Sequence, residues 1–80
     1  MPKGKKMTLK ELRLSKGLNL KQASTISKVS IYHIKRLECG QWKGAYVHNV
    51  LRLMRLLEVE YLEFEAAVNE SARIQTEVRA

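Results

Sequence analysis

The 80-residue sequence predicts an all-α protein, and three observations carry that prediction. Apolar residues recur at spacings of three and four along most of the chain. No stretch alternates apolar and polar residues as a half-buried strand does, and capping residues and glycines punctuate the periodic segments where helices would start and stop. A chain this short builds only one hydrophobic core, so the expectation is a compact five-helix domain.

Thr8-Leu9-Lys10-Glu11 is a capping box: the Thr8 hydroxyl accepts an orphan N–H, and Glu11 reaches back to the start of the turn. Helix one follows with Leu9, Leu12 and Leu14 on its apolar side, and Lys16-Gly17 ends it. Asn19 and Gln22 repeat the capping logic and open a short helix two, which reaches Ile26 or Ser27. Ser30 caps helix three, Ile31 to Glu38, in which Ile34 and Leu37 share one face and Gly40 is the stop. Residues 41–46 lack a period and contain glycine, so they read as a loop with Trp42 and Tyr46 pinning it to the core. Helix four, Val47 to Leu57, carries a broad apolar face of Val50, Leu51, Leu53, Met54 and Leu57.

From Tyr61 to Ala80 the pattern is again helical, with Phe64, Ala67, Ser71, Ile74 and Val78 spaced by three and four. That stripe has three readings: a dimerisation seam, packing on the chain's own domain, or a frayed end. The sequence therefore divides into a basic arm (1–7), a helical domain (8–64) and an acidic C-terminal helix or tail (65–80) with a possible role in pairing two copies.

The net charge of +7 is unevenly spread. Residues 1–57 hold thirteen Lys or Arg against Glu11 and Glu38, a net of +11, whereas residues 58–80 hold two Arg against six Glu, a net of −4. The basic part attracts polyanions, and the acidic part turns away from them. No apolar run exceeds three residues, so no membrane span is expected. The start is basic, but Thr8-Leu9-Lys10-Glu11 stands where a signal peptide needs an apolar stretch, so secretion is not expected either. Cys39, the lone cysteine, permits no internal disulfide, and a cytoplasmic protein is expected. His33, Cys39 and His48 match no zinc spacing, and no glycine-rich phosphate loop is present. An enzyme, a cofactor and a metal are accordingly not expected.

Gly17-Leu18-Asn19-Leu20-Lys21-Gln22-Ala23, Ile26-Ser27-Lys28-Val29-Ser30 and Ile34-Lys35-Arg36-Leu37-Glu38-Cys39-Gly40 together resemble the lambda-repressor and Cro type of helix-turn-helix, also called Xre-like. The resemblance spans roughly residues 9–64 and keeps Gly17, Leu18, Val29, Ser30, Ile34, Glu38 and Gly40 without a gap. Four positions depart from that pattern. Leu20 stands where glutamine is usual, and Ala23 where leucine is usual, with Ile26 expected to fill part of the lost volume. Lys28 replaces the turn glycine, and Glu58 stands where glycine is common.

The resemblance implies that helix three enters the major groove of duplex DNA and presents Ile31, Tyr32, Lys35 and Arg36 to base edges. Arg36 would fork onto guanine, and Ile31 would press on a thymine methyl. Asn19, Lys21, Lys28, His33 and Lys43 are the expected phosphate contacts, and Lys3, Lys5 and Lys6 form an arm that would follow the duplex. Glu38 is expected to be structural, holding the loop or a nearby Arg such as Arg13. The implied function is a sequence-specific regulator, most often a repressor, acting as a homodimer on a two-fold operator. Two other classes stay open. One is an antitoxin-like module whose acidic 58–80 segment binds a protein partner, and the other is nonspecific binding of RNA or an anionic membrane through the lysines.

Overall fold

The computed structural model describes residues 7–79, with side chains through Ile74. Five helices follow one another, α1 (Leu9–Ser15), α2 (Leu20–Ser27), α3 (Ile31–Glu38), α4 (Val47–Leu57) and α5 (Tyr61–Arg79), and no strand occurs among the described residues. Lys3, Lys5 and Lys6 lie outside the described residues, as does the side chain of Val78.

Local chemistry sets the helix ends. Thr8 Oγ1 accepts the Glu11 N–H at 3.1 Å, and Glu11 Oε1 accepts the Thr8 N–H at 2.9 Å. Asn19 and Gln22 make the same reciprocal pair at 2.7 and 2.9 Å, and Ser30 Oγ accepts the His33 N–H. Lys28 closes α2 in the left-handed region at φ 62°, its N–H donating to the Ser24 carbonyl at 2.8 Å. A side chain in that conformation costs roughly 1–2 kcal/mol, which glycine avoids. Lys28→Gly is therefore expected to raise unfolding stability by about 1 kcal/mol, read as a higher urea midpoint at unchanged slope.

Leu9, Leu12, Ala23, Val29, Ile34, Leu37, Val50, Leu53 and Leu57 meet Phe64, Ala67 and Val68 in one core. Three expected core contacts are absent. Leu14 and Leu51 point to solvent, and Ile26 is 59% exposed, so it does not replace the volume missing at Ala23. A hollow of about 10 Å³ remains instead beside Ala23, Ile34, Leu53 and Leu57. Of the two expected loop anchors only Trp42 holds: its ring packs edge-on against Phe64 with centroids 6.1 Å apart, and its Nε1 donates to Asn69 Oδ1. Tyr46 is 57% exposed. The helix periods are right in each case, but α1, α2 and α4 carry more apolar residues than the core has sides to cover.

The expected dimerisation stripe is largely spent inside the monomer. Phe64, Ala67 and Ser71 are buried against the chain's own core and are closed to a second copy, while Ile74 is half-buried. The Ser71 hydroxyl accepts the Leu9 N–H at 3.0 Å and donates to the Ala67 carbonyl at 2.8 Å, so α5 supplies a cap to the first turn of α1. Nor does a boundary fall after residue 64, because α5 runs through it unbroken and Ala67, Val68 and Ser71 belong to the core.

Two ion pairs join distant segments. Arg13 and Glu38 form a buried fork, Nε to Oε2 at 2.6 Å and Nη2 to Oε1 at 3.3 Å, with Nη1 donating to the Leu18 carbonyl at 2.9 Å. At the surface Lys16 reaches Glu58 at 2.9 Å. Glu58 closes α4 with φ 59°, and the Lys16 hydrogen bond and charge hold its carboxyl below the ordinary carboxylate range.

Candidate nucleic-acid interface

Helix α3 is phased by its buried side. Ile34 and Leu37 are both 2% exposed, and helical geometry then turns Ile31, Tyr32, Lys35 and Arg36 outward. Ile31, Tyr32 and Lys35 are exposed, while Arg36 is half-buried. The Arg36 guanidinium lies 5.6 Å from the centroid of the Tyr32 ring; Nη1 donates to Tyr32 Oη at 3.3 Å and Nη2 to the Lys43 carbonyl at 2.8 Å. Arg36 is thus preorganised across Tyr32 and bolted to the loop before α4, and a guanine contact would exchange the Lys43 carbonyl for a base.

The expected phosphate contacts fall on several elements. Lys21 and Lys28 are exposed on α2 and at its end, and the Lys43 ammonium is exposed on the loop. Asn19 spends its carboxamide oxygen on the α2 cap, which leaves its NH₂ to donate. His33 is more confined than the sequence implies. Its Nδ1 lies 2.7 Å from Ser30 Oγ, and its ring packs edge-on against Tyr32 and Tyr46, with centroids 5.3 and 5.8 Å away. Only Nε2 is left to face a phosphate.

The carboxylates of the segment that carries these cations are engaged. Within residues 7–57 the acidic side chains are Glu11, engaged in the Thr8 cap, and Glu38, engaged by Arg13. The N-terminus of α4 adds to the positive side: Tyr46 gives it no side-chain cap, and its first turn holds no acidic residue. On the acidic α5 side, Glu58 and Glu70 are paired with Lys16 and Arg73.

The structure adds residues to this surface that the sequence does not assign to it. Arg52 of α4 is exposed and reaches the Lys28 carbonyl at 3.4 Å, joining α4 to the turn between α2 and α3. Asn49 is buried and lines a hollow of about 10 Å³ with His33, Arg36, Gln41 and Lys43. Tyr46 and His48 stack with centroids 5.7 Å apart and planes at 17°. Arg52 and His48 sit one turn apart on α4, on the side away from Leu53 and Leu57.

Among the described residues no three His, Cys, Asp or Glu side chains converge to hold a metal ion, and no helix is long and apolar enough to cross a membrane. Comparison with known proteins returns no matching family model, no matching curated protein and no matching solved structure.

Proposed function

We propose that this chain is a sequence-specific binder of double-stranded DNA that regulates transcription, acting as a repressor by occupying an operator as a pair of identical copies. In this reading α2, the turn at Lys28–Ser30 and α3 form a helix-turn-helix of the lambda-repressor and Cro type, and α3 lies in the major groove. The observation that carries it is the outward face of α3: Ile31, Tyr32, Lys35 and Arg36 stand out from a helix fixed by Ile34 and Leu37, and the carboxylates of α1–α4, Glu11 and Glu38, are both engaged. A helix fits the major groove, where every base pair shows a distinct edge. Lys21, Lys28 and Lys43, with the uncapped start of α4, set the register on phosphates. The copies pair through surfaces other than Phe64, Ala67 and Ser71, which are already buried.

Selection of bound duplexes from a random library tests the reading. The expected outcome is a palindromic motif whose half-sites lie about one helical turn apart. On the selected duplex, Ile31→Ala should relax preference at one position of each half-site. Lys43→Ala should weaken all duplexes alike and reduce the salt slope by about one. Binding that collapses with salt and enriches no motif would reject the reading and favour a protein partner or nonspecific polyanion binding.

A further inference from the structure

Four rings form an unbroken row along one side of the interface. Tyr32 meets His33, His33 meets Tyr46, and Tyr46 stacks on His48, with successive centroids 5.3, 5.8 and 5.7 Å apart. Tyr32 and Tyr46 are 62% and 57% exposed, and His48 is exposed as well. None of these rings enters the core cluster, so the row is not an extension of the packed interior. It is also flanked by cations. Arg36 lies over Tyr32 and is tied to the backbone of Lys43, and Arg52 stands one turn from His48 on α4.

A duplex hides the faces of its bases and shows only their edges in the grooves, so the rings of the row that lie outside α3, Tyr46 and His48, have no base face to stack on in paired DNA. Unpaired bases expose their faces, and proteins that hold single strands combine stacking rings with nearby Lys and Arg. We infer that the Tyr32–His33–Tyr46–His48 row is a binding surface for single-stranded DNA, with bases stacked on Tyr46 and His48 and phosphates held by Lys43 and Arg52. The strand is DNA because the row shares Tyr32 with the face of α3 assigned above to duplex DNA, so a strand released beside α3 meets the rings directly. That choice of DNA rests on the proposed function; the stacking surface itself does not.

The test is fluorescence anisotropy of a labelled oligo(dT), about 15 nucleotides long to fall within known single-strand site sizes. The wild-type chain should bind it, Tyr46→Ala and His48→Ala should each weaken it about tenfold, and Tyr46→Trp, which keeps a ring, should restore it. Circular dichroism unchanged in the alanine variants separates loss of a ring from loss of fold. Ile31→Ala should impair the selected duplex and spare oligo(dT), which keeps the two readings distinguishable. Absence of oligo(dT) binding, or binding untouched by both alanine variants, would overturn the inference. Tighter binding of oligo(rU) than of oligo(dT) would overturn DNA as the occupant.

Discussion

Arg13→Ala is expected to cost about 3–5 kcal/mol of folding stability, the usual penalty for stranding one partner of a buried ion pair. The side chains of Arg13 and Glu38 are only 7% and 9% exposed, so the carboxylate left behind has little access to water. The substitution also strips the Leu18 carbonyl of its donor at 2.9 Å, and so loosens the segment between α1 and α2. Urea unfolding of Arg13→Ala beside the double variant Arg13→Met/Glu38→Leu separates the two origins of the loss. The double variant removes both charges and keeps most of the volume, so it should lie within about 1–2 kcal/mol of wild type. Equal loss in the two variants would mean that the pair's own attraction and the bond to the Leu18 carbonyl, not the stranded charge, supply the stability. Arg13→Lys should fall between them, because an ammonium keeps the charge and loses the two-pronged fit.

Gly40→Ala should be as damaging, for a reason of shape. Gly40 has φ 81°, and a methyl group there would overlap the Cβ, Cα and N of Ala72 on α5. The left-handed backbone alone costs an alanine roughly 1–2 kcal/mol. Relieving the overlap requires backbone to move, and a shift of α5 disturbs Phe64, Ala67 and Val68, for a total of about 4 kcal/mol or more. Gly17 provides the control, since it is also left-handed at φ 72° but has nothing within 4 Å of a built Cβ. Gly17→Ala should therefore lose only the backbone part, and thermal unfolding of the two variants isolates the contact with α5. Identical losses at the two positions would remove that contact from the account.

The helix ends were legible because their chemistry is local. Thr8 with Glu11, Asn19 with Gln22, and Ser30 with the His33 N–H each satisfy a donor within three residues, so the signal needs no knowledge of the rest of the fold. The outward face of α3 was legible for a related reason: Ile34 and Leu37 fix the phase of so short a helix. Periodicity does not say which partner covers an apolar stripe. Phe64, Ala67 and Ser71 have the same spacing in a dimer seam as in a helix laid across its own domain, and the structure shows the second for these three. Nor does it tell a helix with one covered side from a helix with two, which is why Leu51 and Ile26 read as core and are exposed. The ring row is not legible in the sequence, because Tyr46 lies at the end of a loop without a period and meets His33 only in the packed fold.

The hydrogen bond from the Leu9 N–H to the Ser71 hydroxyl spans 62 residues of chain. While the polypeptide is being made, α1 emerges first, but its opening turn must wait for Ser71 before that donor finds its native acceptor. Gly40 is in the same position with respect to Ala72, since the groove that admits the close approach has no occupant until α5 arrives. Both closures therefore form only once α5 is present, and the last long helix completes the first turn of α1. A nascent chain halted before Ser71 would carry most of the cationic face with neither closure made, and quality-control proteases would meet it in that open form.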